Sequence, residues 1–146
     1  VRSERRKECK EPFENILIIA EPLRQKKLGN DTYLEFDAIE FFMKSLNKIN
    51  ISSNYIHIVL RLHPSEAQGK YDHILKKYQH LVTKFNVSKH INLYPDIAWA
   101  DLVVGMNSYA LVVSLSAGVP TMSILPPLSV SCILPFKEIM QLKDEF

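Results

Sequence analysis

Cysteine is scarce in this chain: Cys9 and Cys132 are the only two among 146 residues. A disulfide-framed scaffold, a CxxC redox pair and a cysteine-rich zinc site are all excluded by that count. Glycine is scarcer than usual, with four residues, and none of them forms a GxGxxG, GxxxxGK[ST] or GxSxG motif. The common dinucleotide fingerprint, the P-loop NTPase and the hydrolase nucleophile elbow fall with them. No apolar run approaches the ~20 residues that span a bilayer. The opening VRSERRKEC is basic but leads into no apolar segment, so it is not read as a signal peptide. Charge of one sign is missing too: 18 Lys and Arg against 16 Asp and Glu leave +2, which is no polyanion-binding signature, and nucleic acid is not an expected partner. No repeat or low-complexity stretch is found.

What is present points to a folded core. Hydrophobic residues make up 47% and charged residues 23%, outside the disordered range. The length suits one domain. The expectation is a soluble, intracellular α/β domain, and the initial Val1 suggests excision from a longer protein.

Residues 1–14 read as a polar lead-in or linker, with Arg2, Arg5, Arg6, Lys7 and Lys10 as a solvated tail. Asn15–Ala20 is a short continuous apolar run, the pattern of a strand buried on both faces. Thr32-x-x-Glu35 is a capping box, and Leu34, Ala38, Phe41, Phe42 and Leu46 behind it predict a helix to about Lys48. Tyr55–Leu62 reads as the second strand, Tyr71–Phe85 as the second helix and Ile91–Tyr94 as a third strand. A turn or short helix around Asp96–Ala100 precedes a fourth strand, Asp101–Gly105. Tyr109–Ala117 is a helix stopped by Gly118, and Thr121–Leu125 a fifth strand. The alternation predicts a Rossmann-like three-layer domain over 15–128, with a mostly parallel sheet of about five strands. Residues 129–146 read as a helical extension, with an amphipathic helix over Phe136–Leu142.

In an open parallel sheet, ligands bind beyond the carboxyl ends of the strands. The residues that follow them are Glu21–Arg24, His63–Glu66, Pro95–Asp96, Gly105–Ser108 and Pro126–Pro127. Gly105, Asn107 and Ser108 join a buried strand to a helix start, where free N–H groups suit phosphate; the same residues equally suit an ordinary N-cap. Arg61 and His63 alternate with Leu60 and Leu62, so a cation and an imidazole reach the rim together. Pro64 fixes the turn, and an imidazole there can donate to a phosphate oxygen. Glu66 reads as a first-turn cap of the next helix, with a sugar-hydroxyl contact as the other option. His57 reads as a packed core histidine. His73, His80 and His90 lack partners at ligand spacing, so no metal site is expected.

The order of these pieces carries a resemblance. Leu60–Glu66, then Ala100–Leu111, then Ala117–Thr121 resemble the C-terminal, nucleotide-sugar donor half of a GT-B glycosyltransferase, over about Ile16–Pro127. The His-Pro pair and the later Ser are similar to bacterial sialyltransferases and capsule polysaccharide transferases, and the His-Pro also to teichoic acid glycerophosphotransferases. The sialyltransferase Ser-Ser pair is Asn107-Ser108 in this chain. The resemblance implies that His63, Pro64, Gly105, Asn107 and Ser108 hold a CMP- or UDP-linked sugar, with Arg24, Arg61 and Glu66 as further contacts. It implies no other cofactor. It places the general base in an N-terminal acceptor domain that this chain does not include, so the chain is expected to be half of an enzyme and inactive alone. It further implies work in capsule or lipopolysaccharide synthesis, in the cytoplasm or at the inner membrane face.

Two other readings compete. One keeps the architecture and changes the reaction to a nucleotide-sugar epimerase or hydrolase. The other is a non-catalytic α/β module that binds a nucleotide or a partner.

Overall fold

The structure is a computed structural model that describes residues 11–22, 34–106, 108–125 and 138–145. The apolar runs become parallel strands because both of their faces are covered. These are β1 (Asn15–Ile19), β2 (His57–Arg61), β3 (Lys84–Val87), β4 (Leu102–Gly105), β5 (Thr121–Ser123) and β6 (Met140–Gln141). They form one sheet in the order β3-β2-β1-β4-β5-β6, every pair parallel. The register sets Ile18 of β1 between Leu60 of β2 and Val104 of β4.

The helices are α1 (Leu34–Lys44), α2 (Asp72–Tyr78), α3 (Leu93–Trp99) and α4 (Ala110–Ser116). On one face, Leu34, Ala38, Ile39, Phe42 and Met43 of α1 and Ile74 and Tyr78 of α2 pack on Ile16, Ile18, Ile58, Leu60 and Val104. On the other, Ile97 of α3 and Leu111 of α4 pack on Leu17, Ile19, Val59 and Val103. The protein is a Rossmann-like three-layer α/β domain, as the alternation predicts. Chain direction across the sheet reverses between β1 and β4, where open α/β sheets form their crevice.

Several expectations are corrected. The helix of Tyr71–Phe85 ends at Tyr78, and after a 3-10 turn over Gln79–Leu81 the chain becomes β3. The N–H groups of Thr83 and Lys84 both reach the Ile56 carbonyl, at 2.9 and 3.0 Å, so pairing beside β2 displaces further helix. The strand expected at Ile91–Tyr94 is instead the entry to α3. Pro95 fits there, in a first turn whose N–H groups need no helical partner. The short helix expected at Asp96–Ala100 is the rest of α3. The helix from Leu34 is α to Lys44 and 3-10 over Leu46–Lys48. At the C-terminal end, Met140–Gln141 is a sixth strand and Leu142–Glu145 a 3-10 turn, so this part of the expected helical extension is not α-helix. Phe13, assigned to the lead-in, is buried and bonded on both sides to Asn50 and Ser52 at 2.8 Å. Thr32, Cys9, Cys132 and Pro126–Pro127 lie outside the described residues.

Candidate functional site

Three connections leave the carboxyl edge side by side, after β2, β1 and β4. Adjacent strands lie about 4.8 Å apart, so the flanking connections are separated by about 10 Å. That is the scale of a nucleotide laid across the end of β1. The Ala20 N–H bonds the Arg61 carbonyl at 2.9 Å, which carries the β1–β2 ladder to the rim.

His63–Glu66 is a β-turn closed by the Glu66 N–H on the His63 carbonyl at 2.9 Å. Pro64 occupies its second position, where a fixed φ is already correct. The Ser65 N–H donates to His63 Nδ1 at 3.1 Å, and the Ser65 hydroxyl lies 2.8 Å from the same nitrogen. A backbone N–H can only donate, so Nδ1 accepts, and a neutral imidazole carries its proton on Nε2. His63 is exposed, and Nε2–H is the donor it offers to solvent.

Glu66 does not cap the first turn of α2, which begins at Asp72. Its Oε1 accepts the His63 N–H at 2.9 Å, and its Oε2 accepts from Lys70 Nζ at 2.8 Å and from the Tyr71 hydroxyl. Lys70 Nζ also reaches Glu35 Oε2, in the first turn of α1, at 2.8 Å. The Glu66 and Glu35 side chains are 1% and 3% exposed and Lys70 is 21% exposed. Burial pushes the Lys70 ammonium down, but the hydrogen bonds and charges of Glu35 and Glu66 more than reverse this, and its pKa is raised. The Tyr71 phenol is pushed far up, first by burial, then by its bond to Glu66 and the charges of Glu66, Glu35 and Glu21.

Arg61 turns the other way. Its Nη1 bonds Asp96 Oδ2 at 2.8 Å and the His90 carbonyl at 2.9 Å, and its Nη2 the Ile91 carbonyl at 2.7 Å. The Ser88 hydroxyl completes this buried node on Asp96 at 2.6 Å. Arg61 therefore anchors the β3–α3 connection, which leaves the same carboxyl edge, with its guanidinium engaged inside the protein.

The β4–α4 connection also has internal work. Ser108 Oγ accepts the Ala110 N–H at 3.1 Å, an N-terminal capping bond that leaves its own hydroxyl proton available. A Cβ on Gly105 would meet Leu111 Cδ2 at 2.8 Å, so this glycine admits the helix side chain rather than a ligand. Gly105→Ala is expected to cost about 1–3 kcal/mol by overpacking, read as a lower urea midpoint; an unchanged midpoint sinks this account of the glycine. Arg24 and Asn107 lie outside the described residues.

His57, expected as a packed core histidine, is instead half-buried at the start of β2. Its Nε2 lies 2.7 Å from Asn86 Oδ1 and its ring meets the edge of Trp99 at 4.9 Å. It lines a concavity of about 250 Å³ with Val59, Asn86, Ser88, Asp96 and Trp99. No part of the chain marked this feature, because β2 and β3 are joined across 22 intervening residues, counted from Arg61 to Lys84. Among the described residues no group of three His, Cys, Asp or Glu side chains could hold a metal ion, and no helix is long and apolar enough to cross a membrane. No family model, characterised protein or solved structure matches this chain.

Proposed function

We propose that this chain is the nucleotide-sugar-binding domain of a bacterial glycosyltransferase of surface polysaccharide synthesis, with the donor laid across the end of β1. The observation that carries the reading is the His63 turn: an exposed imidazole, held by Ser65 so that Nε2–H faces outward, beside the crossover of a β3-β2-β1-β4-β5-β6 sheet. A departing nucleotide phosphate is best stabilised by donors fixed before the reaction. His63 Nε2–H supplies one and the Ser108 hydroxyl proton a second. Neither carries out bond cleavage alone, and in this reading the acceptor hydroxyl is deprotonated by a carboxylate from an N-terminal acceptor domain. The proposed location is the cytoplasm, at the inner membrane face where the acceptor is lipid-linked.

The internal engagement of Arg61, Glu66 and Gly105 favours a second reading, in which the domain binds a nucleotide or a partner without catalysis. A titration with CMP, UDP, GDP and CDP-glycerol, followed by amide NMR, tests the first. Expected are shifts confined to Ala20–Pro22, His63–Glu66 and Met106–Ala110, with one base preferred. Affinity is expected near millimolar, about −4 kcal/mol, for half of a cleft. His63→Ala should weaken the preferred nucleotide about tenfold, the scale of one hydrogen bond to a charged group. Equal affinity in wild type and variant, or no shifts at these loops, overturns the donor-domain reading and leaves the binding module.

A further inference from the structure

Glu66 brackets His63 from both sides. Its N–H closes the turn onto the His63 carbonyl, and its carboxylate returns to the His63 N–H at 2.9 Å. That carboxylate is itself immobilised: Lys70 and Tyr71 hold its other oxygen, and Lys70 is tied across 35 residues to Glu35 in α1. An exposed turn does not need a carboxylate that is 1% exposed. Burying it demands compensation by charge and hydrogen bonds, and each bond of that compensation fixes the position of Oε1. The chain of contacts runs from the start of α1, through Lys70 and Glu66, into the backbone of His63, and from there through Ser65 to the imidazole nitrogen.

We infer that Glu66, held by Lys70 and Tyr71, is a positioning residue that fixes the turn in which Ser65 locks His63 as its Nε2–H tautomer. The inference rests on His63 being the nucleotide-facing group, but its first readout needs no nucleotide. A second-sphere partner that orients an imidazole fixes which nitrogen carries the proton. Without the carboxylate the turn loses one of its two closures, the Ser65 N–H leaves Nδ1, and both tautomers become populated. Glu66 touches no ligand in this account; it acts through His63.

The experiment is ¹⁵N NMR of the His63 imidazole in the full chain, assigned by comparison with His63→Ala, in wild type, Glu66→Ala, Glu66→Gln and Tyr71→Phe. Wild type should show a single Nε2–H form at a pH where the ring is neutral. Glu66→Ala should show mixed tautomers and a roughly tenfold loss of affinity for whichever nucleotide monophosphate or diphosphate binds best. Glu66→Gln has one acceptor oxygen for two donors, the His63 N–H and the Lys70 ammonium, and should restore the single tautomer only in part. Should Glu66→Ala not fold, Tyr71→Phe, which removes only one hydroxyl, should still broaden the tautomer population measurably. A folded Glu66→Ala, or failing that Tyr71→Phe, with the wild-type imidazole spectrum overturns the positioning role. A changed spectrum with unchanged nucleotide affinity keeps the positioning role and sinks the nucleotide reading instead, so the two failures are distinct.

Discussion

Lys70→Met should lower folding stability by about 3 kcal/mol, because it leaves Glu35 and Glu66 buried without their shared cation, and breaking a buried ion pair one-sidedly costs roughly 3–5 kcal/mol. The lower end applies, since the Lys70 side chain keeps 21% of its surface in water. The measure is the urea midpoint at constant m-value. Lys77 is the internal control. It also pairs with a glutamate, Glu40, at 2.8 Å, but its side chain is 59% exposed, so Lys77→Met should shift the midpoint little, as exposed pairs do. Equal effects from the two substitutions would show that burial of the carboxylates is not what makes the pair matter. The same anchor predicts a pH dependence. Lys70 is raised above 10.5 and Tyr71 above 10.0. A group raised on folding stabilises fully below its ordinary value and loses that contribution as pH climbs through the raised one. Wild type should therefore lose stability above about pH 10, and Lys70→Met should show a shallower decline, carried by the remaining raised groups Tyr71, Tyr78 and Lys77.

Arg61→Leu should cost about 3 kcal/mol by stranding the buried carboxylate of Asp96. Arg61→Lys should recover little, because one ammonium cannot span Asp96 and the His90 and Ile91 carbonyls as the guanidinium does. Faster amide exchange across Ser88–Asp96, with exchange at His63–Glu66 unchanged, is the expected pattern. Loss of nucleotide affinity in Arg61→Leu comparable to that in His63→Ala, without loss of stability, contradicts the anchoring role and returns Arg61 to the ligand.

The central strands were legible because Asn15–Ile19, His57–Arg61 and Leu102–Gly105 are enclosed on both sides, and enclosure writes a continuous apolar run into the chain. The edge is different. Lys84-Phe85-Asn86-Val87 covers only one face with apolar groups, so its alternation merges with the helical spacing of Tyr78, Leu81 and Val82. Met140–Gln141 is too short to leave a pattern at all. Ile91 is β-branched and apolar, the character of a strand residue, yet it is 94% exposed. At the rim, the Pro64 turn was legible because its bonds join residues three apart. Glu66 and Arg61 were not: Lys70 lies only four residues beyond Glu66, but Glu35 meets Lys70 and Asp96 meets Arg61 across 35 residues, contacts that no local spacing shows. An arginine at a strand end and a glutamate after a turn look the same whether they await a ligand or hold two crossovers together.

The position of β1 has a consequence for how the protein is made. It precedes the other described strands in the chain, but one of its two neighbours is Leu102–Gly105, more than 80 residues later. Until that segment emerges, β2 and β3 can cover only one side of it. Ile16, Leu17, Ile18 and Ile19, all buried in the finished domain, then form the open edge of a half-built sheet, and unpaired edges of this kind invite pairing with other chains. Asp101 sits just ahead of the awaited strand, its carboxylate accepting the Glu14 and Asn15 N–H groups at 3.2 and 3.0 Å and its N–H returning to the Asn15 carbonyl at 2.7 Å. Once that segment is in place, Asp101 ties the start of β1 to the start of β4 through both its backbone and its carboxylate.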